Sequence, residues 1–99
     1  MRQATVEIRN EHGLHARPAA LFVRAAGSHK SSVKVRNVTL DGQLANAKSI
    51  IEVLKIGVSR GHTIELVVEG PDEDVAIDSL CQFIQSGAGE SLESQAPNG

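Results

Sequence analysis

The stretch His12-Gly13-Leu14-His15-Ala16-Arg17-Pro18-Ala19-Ala20 decides how this chain is read. An apolar-periodic run follows Pro18. Proline is tolerated in the first turn of a helix, where its missing N–H has no intrahelical acceptor to lose. The spacing therefore predicts a helix starting near Ala16, with His15 at or just before its N-cap. Gly13 supplies permissive backbone for a tight turn into it. An imidazole is thereby set beside free backbone N–H groups and the positive end of the helix dipole. That setting suits a bound or covalently attached phosphate. Arg17 adds a permanently charged fork able to reach phosphate oxygens. An arginine in a first turn works against the dipole, so helix stability does not account for it. The chemistry these residues suit is reversible phosphoryl transfer through a phosphohistidine. The plain alternative is a surface histidine that merely precedes a helix.

Working outward, Thr5 to Arg9 alternates through Val6 and Ile8 as a half-buried strand. From Ala16 to Ala26, residues Ala19, Phe22, Val23 and Ala26 form a core-facing stripe, with Ala20 and Arg24 off it and Gly27 as the stop. Val33 to Val38 reads as a second strand. Asp41-Gly42 is a turn signal, and Leu44 with Ala45 forms a short third strand. Ser49-Ile50-Ile51-Glu52 is a capping-box pattern opening a helix from Ser49 to Ile56. Its expected buried positions are Ile50, Val53, Leu54 and Gly57, which leaves Ile51 and Lys55 on another face. Thr63 to Glu69 is the clearest strand, with Ile64, Leu66 and Val68 on one side. A last helix runs from Glu73 to Ser86. Asp72 is its expected cap, and Ile77, Leu80, Cys81 and Ile84 face inward. Residues 1–89 make one domain, and 90–99 are polar and expected to form a frayed tail. The order β-α-β-β-α-β-α, with one apolar stripe per helix, implies an α+β layer pair: an antiparallel sheet covered on one face.

Composition narrows the function classes. The chain has 99 residues, enough for a single modest core. Only Phe22 and Phe83 are aromatic, so stacking platforms for bases or sugars are not expected. The net charge of −2 gives no general attraction to nucleic acid or to an anionic membrane. The single Cys81 precludes an intramolecular disulfide and fits a reducing compartment. No secretory signal or membrane-length apolar run is found, so a cytoplasmic, non-inserted protein is expected, a monomer by default. His12 and His15 lie three apart, but Gly13 between them and the lack of accompanying carboxylates argue against a metal site. The sequence leaves the role of His12 open; packing near His15, where it would tune that ring's charge, is one reading. No cofactor is called for. Cys81, on a buried stripe, is expected to be inert.

Gly13-Leu14-His15-Ala16-Arg17-Pro18-Ala19 resembles the active-site signature of HPr, the histidine-containing phosphocarrier family of the phosphoenolpyruvate-dependent sugar phosphotransferase system. Lys48-Ser49-Ile50-Ile51, followed by Gly57, resembles that family's second signature, and Gly70-Pro71-Asp72-Glu73 also matches. The likeness covers residues 3 to 87, and two motifs in order at family-like separation make it specific. It implies an open-faced β-sandwich, with four antiparallel strands in the order 1-4-2-3 and three helices on one face. It also implies that His15 accepts phosphate on Nδ1 from Enzyme I, charged by phosphoenolpyruvate, and passes it to enzyme II A components. Arg17 and the backbone of Ala16 and Arg17 would hold the phosphate. Such a protein carries a transient phosphohistidine and is no stand-alone catalyst.

The same resemblance assigns partner contact to Ala16, Ala20, Arg24, Ile50, Ile51 and Lys55. Ser49 matches a regulatory serine, which an HPr kinase/phosphorylase modifies in some relatives to signal to a transcriptional regulator. Ser49 paired with Glu52 is equally a plain helix cap. Glu52 departs from the family pattern, and its charge would oppose a phosphate on Ser49. The hairpin near Asn37 to Asp41 is longer than the family pattern, as in HPr-like domains serving dihydroxyacetone kinases, and is expected to lie away from His15. A carrier and a regulatory module acting through Ser49 alone are thus the two readings. The intact His15, Arg17 and Pro18 favour the carrier.

Overall fold

The computed structural model describes residues 1–90. The elements run β1 (Arg2–Glu7), α1 (Ala16–Gly27), β2 (Ser32–Asn37), β3 (Ala45–Asn46), α2 (Ile50–Lys55), β4 (Thr63–Glu69) and α3 (Glu73–Gln85). The four strands form one sheet in the order β1-β4-β2-β3, antiparallel throughout. Strand β4 lies between β1 and β2, with Leu66 opposite Ala4 on one side and Val35 on the other. Its alternation explains that place. Ile64, Leu66 and Val68 are fully buried, whereas the residues between them are only half covered. The buried face meets Phe22 of α1, Val53 of α2, and Leu80 and Ile84 of α3 in one core. Phe22 and Phe83, with ring centroids 6.4 Å apart, join α1 to α3.

Several boundaries differ from the expectation, each for a visible reason. β1 ends at Glu7, but its alternation continues. Ile8 donates its N–H to the His62 carbonyl at 2.8 Å and is fully buried. The third strand excludes Leu44, which is 49% exposed. The turn bonds Asp41 N–H to Val38 O and Gly42 N–H to Asn37 O, and the strand re-forms only where Ala45 meets Val35. Ile50 and Leu54 do not face inward; they are 38% and 41% exposed. Six residues make less than two turns, and α2 packs against α1 and the edge strand β3, so only Val53 reaches the core. Val23 and Cys81 are half-buried, and Ala76 joins the inward stripe.

Asp72 occupies the N-cap position of α3 but makes no side-chain cap. Its carboxylate turns to the start of β2, accepting the N–H groups of Lys30 (3.0 Å) and Ser31 (2.9 Å) and the Ser31 hydroxyl. These donors hold its carboxyl well below the usual carboxylate range, with the Ser31 hydroxyl contributing most. The expected tail lies outside the described residues except for Glu90, which is not frayed. It is bound to the loop that precedes α1.

Candidate functional site

The loop entering α1 is built from Asn10 to Leu14. The Gly13 N–H donates to the Asn10 carbonyl at 3.2 Å, and the Asn10 amide donates back to the Gly13 carbonyl at 2.9 Å. Gly13 has φ +59°, and a Cβ placed on it would lie 2.4 Å from Val58 O and 2.8 Å from Ser59 Cα. Only glycine lets the loop run this close to the turn between α2 and β4. Next, the Leu14 N–H donates to Val58 O at 3.0 Å while its side chain is fully buried. A closed turn and a buried leucine therefore fix the residue before His15.

His15 is the N-cap of α1, extended at φ −128° and ψ 165°, half-buried, with no side-chain capping bond. Ala16 follows at φ 52°, a left-handed conformation that costs an alanine on the order of 1 kcal/mol. Pro18 and Ala19 anchor the first turn in the core. The backbone N–H groups of Ala16 and Arg17 precede any intrahelical acceptor, and no acidic residue lies in that turn. Arg17 is exposed. Neither it, Arg24 nor Lys55 takes part in an ion pair among the described residues. The site thus combines an imidazole, free N–H groups, a dipole end and an uncommitted guanidinium.

The other histidines are engaged. His29 Nδ1 lies 3.6 Å from Asp72. His62 Nδ1 lies 3.0 Å from the Asn37 amide nitrogen and 3.1 Å from the Ser59 N–H. The role of His12, open in the sequence, is settled by its ring pairing with the Glu90 carboxylate. Glu90 also accepts the His12 N–H at 3.1 Å and the Asn10 amide at 3.0 Å, holding residue 90 against the loop. The Asn10 bond is the main cause that draws the Glu90 carboxyl down from 4.5 to about 2. The Glu90 contact raises His12 above its ordinary 6.5.

The signs fix a pH window for this clasp. The Glu90 contribution is complete above 4.5 and is lost as pH falls toward 2. The His12 contribution is complete below 6.5 and is lost as pH rises through its raised value. Glu90→Gln is therefore expected to lower the melting temperature most between pH 4.5 and 6.5, with the difference shrinking as pH falls and vanishing only below about pH 2. Calorimetry of both proteins across that range checks it. An unchanged difference at the acid end would show that the clasp is not ionic.

The remaining sequence-predicted residues lie on two helices that pack against each other. Ala16, Ala20 and Arg24 of α1 and Ile50, Ile51 and Lys55 of α2 are all exposed. Ile51 is 64% exposed, well above Ile50 at 38%. The exposure of Leu54, missed in the sequence, extends the apolar part of this surface. Ser49 is the N-cap of α2, and its hydroxyl oxygen accepts the Glu52 N–H at 3.3 Å. The capping box is only half made, because the Glu52 carboxylate accepts the Asn46 N–H at 2.8 Å instead. Replacing Ser49 by alanine is expected to lower stability by about 1 kcal/mol through loss of this cap. Urea titration reads the change, and no loss would mean that the cap contributes nothing.

Known proteins resemble this chain over nearly all its length. The model of the PTS HPr component phosphorylation site matches residues 2–86. The multiphosphoryl transfer protein of Vibrio cholerae is 44% identical over 87 residues, covering 88% of this chain. This chain spans only 22% of that longer relative. The phosphocarrier protein HPr of Treponema pallidum is 42% identical over 82 residues, covering 83% of this chain and 90% of that protein. Among solved structures, HPr-C-His from Thermoanaerobacter tengcongensis superposes with a TM-score of 0.86 at 45% identity, covering 92% of this chain and 99% of that one. An HPr dimer from the same organism gives 0.70 at 46% identity, covering 91% and 100%. With the family model, the identities and the 1-4-2-3 sheet in agreement, this chain belongs to the HPr family of the phosphotransferase system.

Proposed function

We propose that this chain is a phosphoryl carrier, with His15 taking phosphate from phospho-Enzyme I and yielding it to an enzyme II A component. One observation carries the reading. Among the described residues, His12, His29 and His62 each hold a polar partner, while the His15 ring at the N-cap makes no capping bond. A neutral imidazole whose lone pair is not committed is a competent nucleophile near neutral pH. Nδ1 attacks phosphorus, the bond from phosphorus to the donor breaks, and the ring proton stays on Nε2. The phosphoryl oxygens then meet the N–H groups of Ala16 and Arg17 and the Arg17 guanidinium, which share their charge. Transfer is mostly positioning and electrostatics, shared between carrier and partner.

Ile50, Ile51 and Leu54, ringed by Arg17, Arg24 and Lys55, suit a partner face with an apolar centre and acidic rim. Residues 1–89 act as one unit in this reading, and a single copy suffices. No helix of the described residues is long and apolar enough to cross a membrane. Incubation with Enzyme I, its Mg²⁺ and phosphoenolpyruvate is expected to add one acid-labile phosphoryl group, seen by intact mass. No gain with a competent Enzyme I would overturn the carrier reading. A dihydroxyacetone kinase remains a further acceptor to test, since the longer hairpin resembles that of its HPr-like partners.

The second reading, regulation through Ser49, draws on its place at the N-cap of α2, where a phosphate would meet the positive helix end. Glu52 in the first turn opposes it. A cognate HPr kinase/phosphorylase is expected to yield an acid-stable phosphate that Ser49→Ala loses. If that kinase gives no product, Ser49 is a cap and no transcriptional regulator is engaged through it.

A further inference from the structure

Asn37, at the end of β2, is fully buried, and its side-chain amide is oriented by its surroundings. Its Oδ1 accepts the Leu40 N–H at 3.1 Å, so the other branch is the NH₂ group. That group faces the carbonyls of Ile56 (3.3 Å) and Gly57 (3.4 Å), and Nδ1 of His62 at 3.0 Å. The Ser59 N–H points at the same Nδ1 from 3.1 Å. Two donors converge on one nitrogen. Nδ1 of His62 is therefore an acceptor without a proton, and the ring proton sits on Nε2.

The turn closed by these bonds is the one that braces the loop before His15. Val58 O accepts the Leu14 N–H, and the backbone of Val58 and Ser59 lies against Gly13. The flanking residues are tied to Ile8, just past the end of β1, as well. Gly61 donates its N–H to the Ile8 carbonyl at 2.7 Å, and the His62 carbonyl accepts from Ile8. The hairpin expected to lie away from His15 is thus linked to it, through Asn37, His62 and Val58. A proton added to Nδ1 would face two N–H donors and break both bonds.

The geometry points to His62 as a positioning residue for the phosphoryl-accepting loop, one that holds the loop in its neutral Nε2–H form and loosens it when protonated. The consequence for transfer rests on the carrier reading; the latch does not. Arg60 lies in the same turn. Glu7 of β1 pairs with Thr63, the residue after His62, and Arg9 follows Ile8. On β2, Arg36 adjoins Asn37 and is taken up by Glu65 and Asp41. Among the described residues no carboxylate forms an ion pair with His62.

Two variants separate the latch from general packing. His62→Asn sets an amide oxygen where Nδ1 stood and does not titrate; His62→Leu removes the acceptor. Backbone amide exchange of Leu14 and Ser59 is followed from about pH 8 to about pH 5.5, the range in which imidazoles take up a proton. After correction for intrinsic rates, the wild type is expected to lose about tenfold in protection, the worth of two modest hydrogen bonds. His62→Asn keeps its protection throughout, and His62→Leu shows the same roughly tenfold lower protection at both ends. Phosphate acceptance at the acid end is then faster in His62→Asn than in the wild type, and equal to it at the alkaline end. An equal acid loss of protection in His62→Asn, or ring nitrogen shifts placing the proton on Nδ1 at the alkaline end, would overturn the proposal. If the exchange pattern holds while no form accepts phosphate, the carrier reading fails, and the role of His62 in transfer with it, but the latch stands.

Discussion

Gly13→Ala is expected to lower stability by about 3 kcal/mol or more, the range of a strained backbone combined with a core clash. The added methyl would meet Val58 O at 2.4 Å and Ser59 Cα at 2.8 Å, both backbone atoms. Neither can swing aside as a flexible side chain would. The φ of +59° adds the left-handed penalty, on the order of 1 kcal/mol. Relief requires the loop to retreat from the α2–β4 turn, which stretches the bond from Leu14 N–H to Val58 O. Phosphate acceptance should fall together with stability, because that bond fixes the residue next to His15. Gly27→Ala is the control. It lies at the end of α1 with nothing within 4 Å of its added Cβ, and is expected to be neutral or mildly stabilising. Urea midpoints decide it: indistinguishable midpoints for the two variants would show that the loop does not depend on close approach at Gly13.

His15→Ala is expected to abolish phosphate acceptance and leave the fold intact. The side chain is half exposed and makes no capping bond, so its removal should change stability by no more than about 0.5 kcal/mol. Nucleophilic nitrogen is the one group of the site that nothing else replaces. Arg17 and the N–H groups hold charge but offer no lone pair. The expected pair of results is therefore an unchanged melting curve and no acid-labile phosphate. Acceptance retained in the variant would move the nucleophile to another histidine.

Much of this was legible in the sequence where one physical rule acts alone. Ile64, Leu66 and Val68 alternate because β4 is central and one face is buried, so period two is visible without its neighbours. Pro18 and the stripe Ala19, Phe22 and Ala26 set the start and inward face of α1, which placed His15 at the N-cap. What was not legible depends on which parts of the fold meet. The apolar spacing of Ile50 and Leu54 suggested burial, but α2 is too short, and lies too far to the edge, for more than Val53 to reach the core. Asn10 and Glu90 are 80 positions apart in sequence, and neither has a local pattern to announce the bond. Ala16 at φ 52° runs against alanine's own preference, and only the anchoring of Leu14 and Pro18 on either side holds it there. The Asn37–His62 contact needed the hairpin laid beside the α2–β4 turn before its meaning could be seen.

The most direct measurement is the ¹⁵N spectrum of the imidazole rings after incubation with Enzyme I and phosphoenolpyruvate. One ring is expected to change, that of His15, with phosphorus coupled to its Nδ1. Phosphate on His12, His29 or His62, or four unchanged rings beside a competent Enzyme I, would contradict it.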